Sequence, residues 1–215
     1  MRMLRTFTPL AVTFLLGVTG LLLPGPAGDI AAFLDGLDHA GRLAQIRGTP
    51  RSMQPPLFAL ARQNTPLDLD FFVPAGRPWD QPVTHHGWNS LPLPAVGRRF
   101  AKPMARCPDG SGLLYGYNVS PFGPLIGPGF FLNTPTHHTP GWGDRGGTVI
   151  DYHQVPGHAV PEGWPSVVPN SRGLQMFVYN KTRDFMRRVS RHVSIGAAFR
   201  GDKALGAYFL LVRED

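Results

Sequence analysis

Asp151 and His153 are the residues of this sequence whose types and spacing best suit chemistry. They end the stretch NTPTHHTPGWGDRGGTVIDYH, residues 133–153, which holds three histidines and two aspartates. Residues two apart on an extended chain point to the same face, so the carboxylate and the imidazole would lie side by side. Such a pair serves either as two metal ligands or as a general base oriented by a carboxylate. The alternative is that both are ordinary polar side chains on the face of a sheet.

Two pairs of adjacent histidines are candidates to complete a metal site around His153. These pairs are His85 with His86 and His137 with His138. Imidazole nitrogens bind Zn, Cu or Fe. Adjacent residues on an extended chain point to opposite sides, so each pair easily supplies only one ligand. A metal-dependent hydrolase with Asp151 and His153 at its centre is therefore one hypothesis for the function.

Other catalytic signatures are weak. The sequence contains no HExxH zinc motif, no GxSxG nucleophile turn and no SxxK motif, and its only glutamates are Glu162 and Glu214. The glycine-rich GWGDRGG resembles a phosphate-binding loop, but it precedes a predicted strand and not a helix N-terminus. Cys107 is the only cysteine, which excludes an internal disulfide and any cluster of thiolates, and its context favours a buried structural thiol.

A basic stripe is predicted in the C-terminal half of the chain. Arg183, Arg187 and Arg191 follow one another at intervals of four residues, which places them on one face of a helix. Such a stripe could contact an anionic ligand, lipid headgroups or an acidic partner. The alternative is a solvated outer face of a helix that packs on a sheet.

The N-terminal segment has the parts of a secretory signal. Arg2 and Arg5 precede an uncharged stretch over residues 9–23, and two prolines and small residues follow it up to Ala27. The apolar run is shorter than the ~20 residues that a membrane-spanning helix needs. We expect residues 1–27 to be a signal peptide and the protein to be exported, periplasmic or secreted; an uncleaved N-terminal membrane anchor is the alternative.

The elements that must position these residues form a single α+β domain over residues 28–215. Apolar residues at helical spacing predict an N-terminal helical pair over residues 29–48 and 53–63, followed by extended coil over residues 66–94. Strands are predicted around residues 97–107, 113–120, 126–133 and 147–155, with a final hairpin over residues 193–213 that turns near residue 201. Between them, residues 171–192 predict one long helix. The expected fold is an antiparallel sheet of about five or six strands with the long helix packed on it.

Charge and aromatic content limit the classes of ligand that we expect this protein to bind. The formal charge of +7 comes mainly from arginine, but this modest excess disfavours nucleic acid as a partner. Aromatic residues on the predicted strands could line an apolar cavity. The leading hypothesis is an exported protein that binds a small apolar, amphipathic or anionic ligand, a membrane surface or an envelope partner. A membrane-anchored accessory subunit of a larger assembly remains open beside the hydrolase.

Overall fold

The computed structural model describes residues 13–16, 21–24 and 27–214, and the main body of this chain is a closed β-barrel. The strands are β1 Thr13–Leu16, β2 Leu21–Pro24, β3 Val83–Asn89, β4 Arg99–Arg106, β5 Leu114–Gly116, β6 Phe131–Pro135, β7 Thr148–Asp151, β8 Thr182–Arg188, β9 Val193–Arg200 and β10 Lys203–Arg213. The α-helices are α1 Ala27–Asp35, α2 His39–Gly48, α3 Gln54–Leu60, α4 Ala95–Arg98, α5 Gly123–Ile126 and α6 Gln175–Val178. Single turns of 3₁₀ helix lie at Arg51–Met53, Ala61–Gln63 and Thr136–His138.

The barrel has the simplest antiparallel connectivity. Each strand from β3 to β10 pairs with the next one in the chain, and β10 pairs with β3 to close the cylinder. The pair β1 and β2 forms a separate two-stranded ribbon. Consecutive strands run in opposite directions, so the four connections β3–β4, β5–β6, β7–β8 and β9–β10 all lie at one end of the barrel. An eight-stranded barrel is wide enough either to be filled by side chains or to hold one small ligand, so this architecture is compatible with binding a small apolar ligand.

Three glycines make room for aromatic rings inside the barrel. A Cβ added to Gly87 would lie 2.3 Å from the ring of Phe100, its cross-strand partner. The same relation joins Gly116 to Phe131 on β5 and β6, and Gly196 to Phe209 on β9 and β10. Because each glycine has no side chain on the inner face of the barrel, the phenylalanine ring beside it has room to extend towards the middle of the interior.

The three N-terminal helices cover the outside of β9, β10 and β3. Ile30, Ile46 and Leu57 on these helices pack against the outward side chains of the strands, such as Ile195 and Leu210. The chain breaks between α1 and α2 at residues 36–38, where the carboxylate of Asp38 accepts a hydrogen bond from the backbone N–H of Gly41 and caps α2. The predicted helical pair is therefore confirmed as a helical region, with the first helix divided in two.

Residues 67–73 close the end of the barrel opposite to the four connections. Phe72 and Val73 are fully buried in the same cluster as the interior residues Met104 and Leu211. The carbonyl of Phe72 lies 3.0 Å from Nε2 of His85, so this plug is hydrogen-bonded to an inward-facing side chain of β3. The prediction of extended coil over residues 66–94 was right for the plug but missed β3.

The predicted α+β fold with a sheet of five or six strands and a long helix is wrong. In place of a helix over residues 171–192, the structure has the four-residue α6 and then β8. Lys181 has a positive φ of 60°, which reverses the chain direction between them. Asp184 and Met186 face inward on β8 and Phe185 faces outward. A strand usually alternates apolar inward residues with polar outward residues. β8 was predicted as a helix because Phe185 faces outward and Asp184 faces inward, so this alternation is not visible in its sequence.

The two predicted hairpins are confirmed. β4 and β5 pair across the turn at residues 107–113, and β9 and β10 pair across residues 201–202. Residues 1–12, 17–20 and 25–26, which hold most of the predicted signal segment, and residue 215 lie outside the described residues. Within the described residues, no helix has both the length and the apolarity to cross a membrane.

Candidate functional site

The interior of the barrel is built around a lysine. Lys102 on β4 is almost fully buried, and its ammonium donates hydrogen bonds to Oδ1 of Asn118, at 2.6 Å, and to the hydroxyl of Tyr152. The carboxylate of Asp184 on β8 lies 3.9 Å from the ammonium. These four side chains come from separate parts of the barrel wall and meet in its interior because their positions all face inward.

Aromatic rings surround this ammonium. Its Nζ lies 4.9 Å from the ring centre of Phe131, 5.2 Å from that of Phe209 and 5.5 Å from that of Phe100, and the Tyr152 ring is also within 5.1 Å. The negative ring faces attract the cation and partly replace its hydration. Burial still lowers the pKa of Lys102 to about 8, while Asp184 opposes that shift. The ammonium of Lys102 and the rings around it therefore fill the middle of the barrel. An external ligand would bind at one end of the barrel.

The end with the four connections exposes nearly all of the large apolar side chains that the described part of the chain leaves in water. They are Leu91, Leu93 and Val96 between β3 and β4, Val119, Phe122 and Leu125 between β5 and β6, Leu174, Met176, Phe177 and Val178 between β7 and β8, and Leu205 at the start of β10. We call this set the apolar end. The single exception is Trp79, which precedes β3 at the plugged end. Phe177, Leu125 and Val96 are the most exposed, at 72%, 71% and 62%.

Three one-turn helices hold the apolar end together. Gly97 in α4 packs against the ring of Phe122, just before α5. The side chain of Gln175 in α6 lies against Gly127 and accepts a hydrogen bond from the N–H of Gly129 at 3.2 Å. The exposed apolar residues thus lie on neighbouring elements that touch one another, which makes them one surface and not scattered positions.

Two arginines lie in a depression of about 550 Å³ beside α4, and the described residues that line it include no carboxylate. Arg51 donates through Nε to the carbonyl of Ser90 at 2.7 Å, and Arg98 donates to the carbonyl of Asn89 at 2.8 Å. Arg98 also stacks over the ring of Trp88 at 4.3 Å, and its buried Nη2 has no hydrogen-bond partner within the described residues. Burial and the neighbouring Arg51 both lower the pKa of Arg98. Two guanidinium groups that repel each other in one depression form a site suited to an anion.

A second concavity lies beside the β5–β6 connection. This groove of about 400 Å³ is lined mainly by apolar atoms, with Val119, Pro124 and Pro128 on its walls and Tyr117 beside them. Asn118 also lines it, and through Oδ1 this amide accepts the hydrogen bond from the interior lysine. The groove can therefore take an apolar chain, with one amide in its lining that the barrel interior holds in place.

Cations outnumber carboxylates around the apolar end. The basic residues of its connections and strand ends are Arg98, Arg99, Arg172, Lys181, Arg200 and Lys203, and the acidic ones are Asp151, Glu162 and Asp202. The carboxylate of Asp202 pairs with Arg145 at 2.7 Å. The local charge is positive, so the apolar end is suited to a surface that is both apolar and anionic.

Asp151 and His153 do lie together, but not as two residues of one strand. Asp151 ends β7 and is buried, while His153 lies in the turn that follows. Oδ1 of Asp151 accepts hydrogen bonds from the backbone N–H of His153 at 2.9 Å and lies 2.8 Å from its ring Nδ1, and Oδ2 accepts from Arg183 at 3.1 Å. A carboxylate that orients an imidazole in this way could serve a general base, so the hydrolase hypothesis stays a prediction.

The predicted histidine ligands are spread over the molecule. His85 faces the barrel interior, and His86 lies on the outer face of β3 against His39. The rings of His137 and His138 lie 4.0 Å apart, tilted by 45°, in an exposed turn. Burial lowers the pKa of His85 to about 3, so this residue is neutral at ordinary pH. Among the described residues, one group of three metal-ligating side chains is clustered, at Cys107, Asp109 and His158, and none of the predicted ligands belongs to it.

The predicted basic stripe does not form. Arg183 and Arg187 share the outer face of β8, whereas Arg191 lies in the turn before β9. Arg183 pairs with Asp151, Arg187 donates to the carbonyls of Phe58 and Asp144 at 2.7 and 2.8 Å, and Arg191 pairs with Asp35 at 3.2 Å. All three guanidinium groups hold loops and helices against the barrel.

Sequence reasoning missed Arg51, Arg98 and the apolar end. The available signal was the frequency of Leu, Val, Phe and Met among the prolines and glycines of residues 90–98, 117–130 and 173–178, where turns normally carry polar residues. No protein-family model, curated protein or solved structure matches this chain.

Proposed function

We propose that the protein binds anionic amphipathic lipid at a membrane surface through its apolar end. The observation that carries this proposal is the gathering of the exposed large apolar side chains on all four connections at one end of the barrel. Monomeric soluble proteins rarely expose contiguous apolar patches of this kind unless the patch is an interaction site.

The three most exposed apolar side chains act as insertion points. Phe177, Leu125 and Val96 project from three different connections, so they can enter the acyl boundary together. Moving a largely exposed side chain of this size out of water gains roughly 1–2 kcal/mol. Several such side chains acting together support reversible adsorption of the protein on the surface of a bilayer.

The arginine depression selects the headgroup. A phosphate placed between Arg51 and Arg98 would pair with both guanidinium groups and would relieve the repulsion between them. The surrounding cations add attraction to an anionic leaflet, at about 1 kcal/mol for each Lys or Arg near the surface. The groove beside Val119 and Pro124 can accommodate part of an acyl chain.

The test is flotation of the purified protein with phosphatidylglycerol-containing vesicles and with purely phosphatidylcholine vesicles. We expect binding to the anionic vesicles that weakens as salt is raised. The double variant Phe177→Ser/Leu125→Ser should lose about tenfold or more of this binding, because it removes the two most exposed insertion points. Arg51→Gln/Arg98→Gln should reduce the preference for anionic over neutral vesicles.

Matched controls lie elsewhere on the barrel. Trp79→Ser removes the exposed aromatic residue at the plugged end, and Arg62→Gln removes an exposed cation paired with Asp144 at 2.7 Å. Both should bind vesicles as the unchanged protein does. Equal loss in the controls, or binding that the Phe177→Ser/Leu125→Ser variant retains in full, would overturn the proposal. Soluble glycerol phosphate as a competitor distinguishes recognition of the headgroup alone from recognition of the bilayer.

A further inference from the structure

Cys107, Asp109 and His158 bring three kinds of metal ligand together on the flank of the barrel. One donor atom from each residue lies within 4.8 Å of the others. Cys107 and Asp109 come from the turn between β4 and β5, and His158 comes from the long connection between β7 and β8. This connection runs down the outside of the barrel, where Val160 and Trp164 cover Tyr115.

The imidazole of His158 is oriented as a ligand would be. Its Nδ1 lies 2.9 Å from the carbonyl of Ala159, so Nδ1 carries the proton and donates it to that carbonyl. Nε2 then presents a lone pair, and this buried atom has no hydrogen-bond partner among the described residues. Histidine ligands of metals commonly donate their second ring N–H to a backbone carbonyl, which fixes the tautomer and the ring.

A tyrosine gives a second, independent indication. The ring of Tyr115 meets that of His158 edge to face, with 4.6 Å between their centres. Tyr115 is fully buried, and its hydroxyl has no hydrogen-bond partner in the part of the chain that the structure describes. Tyr115 lies in the same buried cluster as Cys107. An unpaired buried hydroxyl beside three donor atoms is costly unless another group meets it.

The turn that carries Cys107 and Asp109 can adjust to a metal. Donor atoms around a tetrahedral zinc lie roughly 3.3–3.8 Å apart, given metal–ligand distances of about 2.0–2.3 Å. Closing the three donors by about 1 Å is easy because Asp109 is exposed and is followed by Gly110 and Gly112, whose φ angles are 75° and 73°. The apolar cover of Leu113 and Trp164 shields the thiol side of the site from water.

We propose that Cys107, Asp109 and His158 bind one divalent transition metal, of which zinc best fits a donor set of sulfur, nitrogen and oxygen. Three protein ligands leave a fourth position for water or for the hydroxyl of Tyr115. The thiol must lose its proton when the sulfur–metal bond forms, so each metal bound releases one proton to solvent.

The experiment is a titration of the full chain, stripped of metal by a chelator, with Zn²⁺ and with Co²⁺. We expect one equivalent to bind and Co²⁺ to give a thiolate-to-metal charge-transfer band. Cys107→Ser should abolish the band, and His158→Gln should weaken binding at least tenfold. Asp109→Asn changes only an exposed side chain on a turn, so a tenfold loss there cannot be attributed to failure to fold.

His153→Ala and His138→Gln are the control variants, since both remove a histidine far from this turn in sequence and outside the cluster. They should leave stoichiometry and band unchanged. Failure of the stripped protein to bind either ion, or loss of metal on His153→Ala in place of His158→Gln, would overturn the proposal. Vesicle binding is measured on the same metal-free protein, so this site and the lipid proposal succeed or fail separately.

Discussion

The carboxylate of Asp184 lies 3.9 Å from the ammonium of Lys102 inside the barrel, and both side chains are buried. Desolvation pushes each towards its neutral form: burial lowers the pKa of Lys102 and raises that of Asp184, and each opposes the shift of the other. The pair is held by Asn118, by the hydroxyl of Tyr152 and by the aromatic rings around the ammonium.

Removing one member of this pair should cost more than removing both. Lys102→Met leaves the Asp184 carboxylate buried without a cation, and we expect a loss of about 3–5 kcal/mol in the free energy of unfolding. The double variant Lys102→Met/Asp184→Asn should recover most of that loss. Chemical denaturation of both single variants and the double variant measures the coupling. Simple additivity of the two single losses would contradict the view that the charges depend on each other.

Replacing the glycine of a glycine–phenylalanine pair should destabilise the protein through a steric clash. Gly87→Ala puts a methyl group 2.3 Å from the ring of Phe100, so the ring or the strand must move. We expect a loss of about 1–3 kcal/mol, the usual cost of overpacking a core. Gly143→Ala is the control, because a Cβ there meets no atom within 4 Å. Thermal unfolding should separate the two variants by several degrees, and equal melting temperatures would contradict the described packing.

His85 predicts a pH dependence of stability. Burial holds its folded pKa at about 3, below the ordinary histidine pKa of about 6.5, so between these values the unfolded chain binds more protons than the folded one. The stabilisation is complete above pH 6.5 and is lost as the pH falls towards 3, by an amount on the order of 4 kcal/mol.

His85→Gln can still donate a hydrogen bond to the carbonyl of Phe72 but does not titrate. Its free energy of unfolding should therefore fall less between pH 7 and pH 4 than that of the unchanged protein. His138→Gln, at an exposed position, should leave the slope as it was. A variant slope equal to that of the unchanged protein would show that His85 is not buried in its neutral form.

We expect Asp151 to contribute to the free energy of unfolding, independently of any chemistry of His153. Asp151→Ala removes the acceptor of Arg183 and of the His153 backbone, and the loss of buried charge-assisted hydrogen bonds should cost about 2–3 kcal/mol. His153→Ala removes one partly exposed ring and should cost less than 1 kcal/mol. Comparable losses in the two variants would indicate that the imidazole itself holds the turn.

Helices and hairpins of this fold were predictable from the sequence where the spacing of apolar residues or a single turn was enough to define them. The hairpin across residues 107–113 follows from its glycine turn, and the N-terminal helical region follows from the helical spacing of its apolar residues. β3 was missed because His85 and Gly87 occupy its inward positions, where a strand normally shows large apolar residues. β8 was taken for a helix because Asp184 faces inward and Phe185 faces outward.

The candidate sites depended on long-range contacts. Arg51 and Arg98 are 47 residues apart, and His158 is 51 residues from Cys107, so their meeting follows from how the connections return across the barrel. The close sequence neighbours Asp151 and His153 did meet, although through a turn and not along a strand.

By itself, the sequence determined two of the hairpins, the N-terminal amphipathic helices and the positive charge of this protein, because these depend on residues a few positions apart. Only the tertiary structure decided that the strands close into a barrel, that a lysine fills its middle and that apolar loop residues gather at one end. Closure pairs β10 with β3, more than a hundred residues apart, and this pairing determines which side chains face inward. The sequence of a strand shows which residues face inward only where all the inward residues are apolar. The interior of this barrel contains a lysine, an aspartate and a histidine, so its strands lack that simple pattern.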